Sequence, residues 1–380
     1  MGNVSDIALE RALAHLLTEH SKPVSSEYLR TDEIYNPTLQ IDWVTAKVPF
    51  YYKGKLNGGN IINTTPDGEI EYSIDKRLPI TGSYDSRLSV RTSDVLPNGD
   101  TWQIEISGNP VKWFQGHNVF GSSDLPNLIY ETVIKLSKVL NSPQPDDWLS
   151  GVKRGCYTLS RVDITGMYSL PSRSDVYAWL NHAEKTARTR AGTAISKGNT
   201  VYLNKTSARW NVVMYSKGLE LEKHELPKEL DGCGLDDYSD NKLRVELRLR
   251  GKELSKLNLK IGLNWLDLDP FLVFKDYVGR VEMTEQNIRE EDLFDIPKYA
   301  RMTYELWSKG VDVRQFVSIR KYYKDRKALL EFGIDISVPK PLETNVNVIP
   351  LRKVLQLEAA GVPSWAYGTN LMFEPRKICG

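Results

Sequence analysis

The chain has 380 residues, of which 41% are hydrophobic and 26% charged, and its net charge is +1. This composition is typical of a globular protein that buries a core, and no stretch approaches the roughly 18 apolar residues of a membrane helix. The three cysteines are scattered and odd in number. They disfavour a disulfide framework and a zinc site, and they favour a reducing cytoplasm.

The N-terminal segment is predicted to be an extension of the main domain. Residues 1–20 lack the basic start and unbroken apolar core of a secretory signal, and their apolar positions predict an amphipathic helix. Residues 21–40 contain Pro23, Pro37 and several polar residues, which are typical of a linker. We therefore expect residues 1–40 to form a helical extension with a linker.

The next part of the chain is rich in predicted strands. From 41 to 120, alternating apolar runs are separated by turn signals, and NGD at 98–100 predicts a hairpin. Residues 125–143 have helical periodicity, and the helix should end near Pro143.

A second group of strands follows this helix. Residues 156–169 predict a strand, and residues 172–191 predict a helix capped by a serine. Residues 199–218 predict a hairpin, and 242–250 a further strand. Because there are too few crossovers for a parallel arrangement, we expect an α+β domain with a mainly antiparallel central sheet and flanking helices over residues 41–275.

The C-terminal region, 276–380, is predicted to be mostly helical, with a soft boundary between 265 and 290. Residues 314–336 predict a helix ended by Gly333, with five Lys or Arg against one Asp in 320–327. Two interpretations of this helix are equally open. It is either a DNA-recognition helix or a plain amphipathic helix that packs through its apolar side chains, which are Phe316, Ile319, Tyr323 and Leu330.

Three predicted strands carry polar side chains at alternating positions. Side chains on a strand point to opposite faces in turn, so one face of the sheet would collect the polar set. A face in contact with solvent is the common explanation in antiparallel sheets. The set consists of Arg161, Asp163, Tyr215, Lys217, Arg244, Glu246 and Arg248.

The same set contains the groups needed to attack a phosphodiester. The carboxylates of Asp163 and Glu246 are the hard oxygen ligands that magnesium or manganese prefers. The Tyr215 hydroxyl could act as the nucleophile beside such an ion. Because a free phenol has a pKa of about 10, the metal or Lys217 would have to favour the phenolate.

The segment NPVKWFQGHNVFGSSDLPNL, 109–128, strongly resembles the gene II replication proteins of filamentous bacteriophages. The similarity spans most of the chain. It includes IDWVTAKVPF at 41–50, SRVDIT at 160–165, the hairpin around NVVMYSKG at 211–218, and LRVELRLRGKELSKLNL at 243–259. About 40 residues precede the point where the resemblance begins, and no catalytic role is assigned to them.

The resemblance implies a rolling-circle DNA replication initiator, which is a metal-dependent endonuclease acting in the cytoplasm of the bacterial host. Such a protein binds the double-stranded origin, nicks one strand and becomes joined to the 5′ phosphate through a tyrosine. It later reseals the displaced single strand into a circle. The implied cofactor is Mg²⁺ or Mn²⁺. The implied partners are origin DNA, the host helicase and the DNA polymerase, with a homodimer as one way to supply two active sites.

The resemblance also implies residue roles. Tyr215 is the nucleophile, Lys217 stabilises the charge of the phosphorane, and Asp163 and Glu246 hold the metal. His117 is a third metal ligand or a DNA contact, or else it stabilises a turn through a hydrogen bond. The expected DNA contacts are Arg244, Arg248, Arg161, Arg209, Lys205 and Asn118.

Two further residues and three other functions remain open. Glu105 is an outside candidate for the metal shell, and Tyr202 is either a second nucleophile or a packing residue. The alternatives are an origin-binding regulator without cleavage, a relaxase-like or transposase-like tyrosine nuclease, and hydrolysis by water without a covalent step. The relaxase alternative is disfavoured because the five histidines form no pair that flanks a single hydrophobic residue.

Overall fold

The computed structural model describes residues 23–29, 39–283, 296–330, 336–337 and 359–373. The predicted N-terminal helix and Gly333 lie outside these ranges. Within them, no helix combines the length and the apolar character that a membrane span needs.

A nine-stranded sheet forms the centre of the chain. Its strand order is β10-β11-β12-β13-β7-β1-β6-β5-β4, and every neighbouring pair is antiparallel. The prediction of an α+β fold on a mainly antiparallel sheet is therefore confirmed. The strands are β1 (Leu39–Tyr52), β4 (Leu78–Thr81), β5 (Arg87–Val95), β6 (Thr101–Gly108), β7 (Thr158–Ser169), β10 (Ile195–Lys197), β11 (Thr200–Leu203), β12 (Trp210–Ser216) and β13 (Lys242–Arg250).

Two small two-stranded sheets accompany it. One pairs β2 (Asn60–Thr64) with β3 (Ile70–Asp75), and the other pairs β8 (Arg188–Thr189) with β9 (Gly192–Thr193). The first is an exposed arm with an acidic tip.

The described α-helices lie between and after the strands. They are α1 (Pro110–Gln115), α2 (Leu125–Val139), α3 (Asp146–Lys153), α4 (Arg173–Thr186), α5 (Lys217–His224), α6 (Leu235–Ser239), α7 (Gly251–Lys256), α8 (Pro270–Gly279), α9 (Lys298–Ser308) and α10 (Ile319–Leu330). Short 3₁₀ turns occur at Ser26–Tyr28, Ser83–Asp85, Lys228–Leu230, Gly262–Trp265, Val313–Gln315 and Ser364–Ala366.

Several local predictions are confirmed by these elements. The Leu96 amide donates to the Asp100 carbonyl at 2.7 Å across the NGD turn, where Gly99 has a φ of 86° that glycine tolerates best. Helix α2 begins at Leu125 as predicted and ends at Val139, four residues before Pro143. The Ser172 side chain caps α4 by accepting from the Asp175 amide.

Two predicted elements have different boundaries in the structure. Strand β12 ends at Ser216, whose side chain caps α5, so that Lys217 begins a helix instead of continuing the strand. Helix α10 begins at Ile319, and Phe316, Ile319 and Tyr323 are all exposed, which contradicts packing through these three side chains.

The buried apolar side chains form three clusters. The largest lies on the apolar face of the sheet and includes Val24 and Tyr28, so the described part of the predicted linker packs on the core. A second cluster joins α9 and α10. A third contains Phe120, Met167 and Leu371, and it attaches residues 359–373 beside the polar face of the sheet. The two predicted domain boundaries, after residues 40 and 275, stay predictions.

Candidate active site

The polar face of the sheet brings Tyr215 and Glu246 into direct contact. In the β12–β13 register Tyr215 lies opposite Arg244, and Val213 lies opposite Glu246. Residues opposite each other in an antiparallel pair share a face. The Tyr215 hydroxyl donates a hydrogen bond of 2.5 Å to Glu246 Oε1. The phenol is half-buried, whereas only 3% of Glu246 is exposed.

Asp163 joins this pair through Arg248. Asp163 on β7 and Arg248 on β13 lie opposite each other, and Arg248 Nε lies 3.5 Å from Asp163 Oδ2. The same guanidinium donates to Glu246 Oε2 at 2.8 Å. Arg161 donates to Asp163 through Nε at 2.8 Å and through Nη2 at 2.5 Å. The structure therefore places Tyr215, Glu246 and Asp163 in one network, with two partly exposed arginines on it.

Burial sets the protonation of the acid and the phenol. It raises the pKa of Asp163 to about 6, with a smaller contribution from the negative charge of Glu246, while Arg161 opposes the rise. Burial also raises the pKa of Tyr215 well above its usual value of 10, against the positive charge of Arg244. The phenol is therefore protonated at rest, and Glu246 is the group positioned to accept its proton.

A second charged network lies beside the first and was not predicted from the sequence. Arg244 is 0% exposed, and its Nη2 donates to Asp42 Oδ1 at 2.6 Å. Asn109 and Asn118 donate to the same oxygen, each at 2.8 Å. Burial disfavours the charged form of Asp42, yet the Arg244 guanidinium and the amide of Asn118 hold its pKa below the usual value.

An irregular strand brings Asp42 to this position. Ile41 pairs with Ile164 and Trp43 pairs with Asp163, so one extra residue of β1 lies between consecutive positions of β7. This is the geometry of a β-bulge, which re-aims a side chain. The only sequence signal was a single acid inside the apolar run IDWV.

Residues 115–121, the QGHNVFG block, contact the network of Arg244 and Asp42. Gly116 ends α1 with a φ of 85°, and a Cβ atom there would lie 2.4 Å from the Tyr84 ring. Asn118 donates to Asp42, its side-chain oxygen accepts from Lys217 at 2.8 Å, and its backbone carbonyl accepts from Arg244 at 2.5 Å. The block therefore acts as a support for the buried charges.

His117 is buried within this block and is 1% exposed. Its Nε2 donates to the carbonyl of Leu371 at 2.7 Å, and Nδ1 accepts from the Val119 amide at 3.3 Å. Burial lowers the pKa of His117 to about 4, so the ring is neutral at pH 7. Both ring nitrogens are thus engaged in the contacts expected of the turn-stabilising alternative. Within the described ranges, no group of three or more His, Cys, Asp or Glu side chains could hold a metal ion.

Comparison with known proteins identifies the family. Residues 40–267 match the family described as "Replication-associated protein G2P N-terminal", and residues 288–372 match "Replication-associated protein G2P C-terminal". The chain belongs to the replication-associated protein G2P family. The predicted resemblance to phage replication proteins is confirmed.

Individual relatives support the same assignment. The chain is 38% identical over 343 residues to Replication-associated protein G2P of Enterobacteria phage I2-2, covering 89% of this chain and 99% of the relative. It is 24% identical over 235 residues to the G2P protein of Enterobacteria phage M13, covering 55% of each. A solved rolling circle replication initiator protein from Geobacillus stearothermophilus has 13% identity and a TM-score of 0.28, covering 67% of this chain and 89% of that one. This last likeness is too weak to carry an argument.

In this G2P-family chain, Lys217 and Arg209 contact residues outside the network of Tyr215, Glu246 and Asp163. Lys217 is fully buried, and its ammonium group donates to Asn118 and Glu220. Burial and the charge of Arg244 lower the pKa of Lys217 to about 8. Arg209 Nη1 lies 3.3 Å from Glu253 Oε2.

Tyr202, the candidate second nucleophile, and Glu105, the outside candidate for the metal shell, also have partners. Tyr202 lies opposite Val213, so it shares the face of Tyr215 one strand further out, and the Lys205 ammonium lies 4.5 Å from its ring centroid. Glu105 is held by Arg77 at 2.8 Å and Arg91 at 3.0 Å. Glu105 therefore already has two cationic partners.

Proposed function

We propose that this chain initiates rolling-circle replication by nicking one strand of the phage origin with Tyr215. The observation that carries the proposal is the 2.5 Å hydrogen bond from the Tyr215 hydroxyl to Glu246. It supplies a proton acceptor at the oxygen that must become nucleophilic. The membership of the G2P family supports a role in replication.

The proposed reaction exchanges one phosphodiester for another. The Tyr215 oxygen attacks the scissile phosphorus, and its proton passes to Glu246. The bond from phosphorus to the 3′ oxygen breaks and that oxygen takes up a proton from the solvent, which leaves a free 3′-OH and a 5′ phosphate joined to the tyrosine. Because the new diester retains the energy of the bond that was cut, attack by a 3′-OH can later rejoin the strand without ATP.

The two arginines at the edge of the network are suited to hold the phosphate. The side chains of Arg161 and Arg248 are 30% and 28% exposed, so both can reach a bound strand. Their guanidinium groups would stabilise the negative charge that builds up during phosphoryl transfer. Arg244 is fully buried, so its proposed role is to position Asp42 and the Asn118 loop instead of contacting DNA.

Asp163 and Glu246 fit a divalent cation by the chemistry of their donors. Both are hard oxygen ligands, and both contact the guanidinium of Arg248. The two carboxylates therefore already stabilise one positive charge between them. Bound there, Mg²⁺ or Mn²⁺ would polarise a phosphoryl oxygen. His117 is not included in this proposal, because both of its nitrogens are engaged.

The decisive experiment uses supercoiled DNA that carries the cognate origin, with Mg²⁺ or Mn²⁺. Wild type should produce nicked and relaxed circles and a protein-linked 5′ end on a single-stranded substrate. Tyr215→Phe should abolish both products, since it removes the nucleophilic oxygen. The matched control is Tyr202→Phe, which removes a hydroxyl from the same face and should retain nicking.

The outcomes separate the proposed mechanism from its alternatives. Nicking by Tyr215→Phe at the wild-type rate would show that the nucleophile is assigned wrongly. Nicking without a protein-linked end would indicate hydrolysis by water, and origin binding without any nick would indicate a regulator. Asp163→Asn and Glu246→Gln should lose nicking while origin binding, measured in a gel-shift assay, is kept.

The proposed partners and location follow from this chemistry and from the family resemblance. Origin DNA in double-stranded and single-stranded form is the proposed partner, in the cytoplasm of the bacterial host. Recruitment of the host helicase and the DNA polymerase, and assembly as a homodimer, remain predictions from the family resemblance.

A further inference from the structure

The two C-terminal helices, α9 and α10, lie in a strongly basic part of the chain. Residues 296–330 contain nine Lys or Arg against three acidic residues, although the net charge of the whole chain is only +1. One of the three acids, Asp325, is 0% exposed and is paired with Lys321 at 2.6 Å. The accessible surface of this helix pair is therefore strongly cationic, while the remainder of the chain is net acidic.

Large apolar side chains are exposed on the same helix pair. Phe316 is 60% exposed, Ile319 80% and Tyr323 62%. The core of the pair uses different residues, among them Trp307, Tyr322 and Leu329. The exposed side chains therefore lie outside the packed core of the unit, and the Tyr323 ring touches that core edge-on at 5.4 Å from the Tyr322 ring centroid. On α9 they are accompanied by Tyr299 and Met302, which are 47% and 55% exposed.

Cationic and aromatic groups are adjacent on this surface. The Lys324 ammonium lies 4.5 Å from the centroid of the Tyr299 ring, and Lys321 donates to the Tyr299 carbonyl at 2.8 Å. Ile319 and Tyr323 are one helical turn apart on α10, so they lie on one side of the helix. The exposed residues Tyr299, Phe316, Ile319, Tyr323 and Lys324 of this basic region are together called the aromatic–basic surface below.

We propose that the aromatic–basic surface binds single-stranded DNA. Cationic side chains attract the phosphates, and exposed rings accept stacked bases whatever their sequence. Bases in a duplex are already stacked on each other, so flat exposed rings select for the unpaired strand. The identity of that strand rests on the proposed function, because a nicking initiator exposes a displaced single strand next to itself.

The exposed arm formed by β2 and β3 provides an internal contrast. It also exposes apolar side chains, including Tyr72 at 50%, but its turn carries Asp67 and Glu69, and Glu71 lies beside Tyr72 on β3. Such a surface repels phosphates. Tyr72 is therefore a matched control for an exposed tyrosine outside the cationic surface.

The test measures the affinity of the full chain for a fluorescent oligothymidylate of about 20 nucleotides by fluorescence anisotropy. All variants carry Tyr215→Phe, so no cleavage takes place and no origin sequence is required. Phe316→Ala combined with Tyr323→Ala should weaken binding by about 10-fold or more, because each exposed ring that accepts a stacked base contributes to the affinity. Tyr72→Ala should leave the affinity unchanged, and Tyr323→Trp should retain it.

A second measurement tests the cationic part of the surface. Arg320 and Lys324 are both exposed and lie one helical turn apart on α10. Arg320→Gln combined with Lys324→Gln should make the dependence of the single-strand affinity on salt shallower, since the slope falls by about 0.7 for every phosphate that is no longer neutralised. Circular dichroism checks the fold, and the substituted aromatic side chains are exposed, so the melting temperature should not change.

Three results would overturn the proposal. The first is an unchanged oligothymidylate affinity in the double-alanine variant. The second is an equal loss of affinity for a duplex of the same length, and the third is binding to anionic phospholipid vesicles without binding to oligothymidylate. Failure of the proposed nicking function has a different signature, because Tyr215→Phe would then still nick while the single-strand affinity stayed as expected here.

Discussion

Strand β13 presents two buried faces that are stabilised in different ways. On one face Leu243, Val245, Leu247 and Leu249 are each 0% exposed and pack in the main core. On the other face Arg244 and Glu246 are almost as buried, at 0% and 3%, but they are surrounded by charged partners. Burial therefore does not distinguish the core face from the face that carries the site.

The difference lies in how each face tolerates change. Truncating an apolar side chain removes packing energy in proportion to the atoms that are deleted. A buried charge depends on a specific partner, because a carboxylate or guanidinium without one retains its full desolvation cost. On the apolar face, the losses in the free energy of unfolding from two substitutions should therefore add. On the polar face, the loss from replacing one charged residue should depend on whether its partner is also replaced.

Arg244→Met should have the largest effect on stability. It leaves Asp42 buried with only the amides of Asn109 and Asn118, so we expect a loss of about 3–5 kcal/mol in the free energy of unfolding. Adding Asp42→Asn should recover part of the loss, since no unpaired charge then remains. Urea denaturation of the two single variants and the double variant measures this coupling. Fully additive losses would contradict the view of a paired polar face.

Leu247→Ala tests the apolar face of the same strand. Leu247 is fully buried, so truncation should cost about 2–4 kcal/mol through weaker packing and the cavity that remains. Combined with Leu136→Ala on α2, the losses should add within about 0.5 kcal/mol, provided that the two sites share no partner. A strong coupling between these leucines would remove the contrast between the faces.

The dependence of stability on pH is a third test of the buried polar groups, with a smaller expected effect. The pKa of Asp163 is raised from 3.8 to about 6 in the folded chain, so this group stabilises the fold at low pH and loses that effect as the pH rises through about 6. The pKa of His117 is lowered from 6.5 to about 4, so its contribution is present above pH 6.5 and is lost as the pH falls through about 4.

These two contributions have opposite signs in nearly the same pH window. Each is on the order of 3 kcal/mol, so they nearly cancel in the wild type. Relative to wild type, Asp163→Asn should make the free energy of unfolding rise more steeply between pH 4 and pH 6.5. His117→Gln should make it rise less steeply or fall. Denaturation curves across this range that are parallel for all three proteins would refute both assignments.

Much of the fold followed from local patterns in the sequence. Alternation of apolar and polar residues located β7, β12 and β13, and the NGD turn and the Ser172 cap were confirmed where they were predicted. The same alternation selected Tyr215, Asp163 and Glu246 as neighbours on one face. These predictions succeeded because side-chain direction on a strand depends only on position.

The features that the sequence did not reveal depend on contacts between distant parts of the chain. Asp42 reaches the site through a bulge whose position is set by pairing with β7, and no residue of β1 encodes it alone. His117 bonds to Leu371, which is 254 residues away in the sequence. The strand predicted at Lys217 is wrong because a strand pattern and a capped helix start overlap at Ser216.

Local patterns in the sequence were enough to locate the strands of the site, to assign their residues to faces, and to indicate the family. The folded chain was needed to show which charges are paired, which arginines can reach a substrate, and which aromatic side chains of the C-terminal helices remain exposed. The reason is physical: the direction of a side chain is a local property of the backbone, whereas burial and ion pairing are set by segments that meet only after folding.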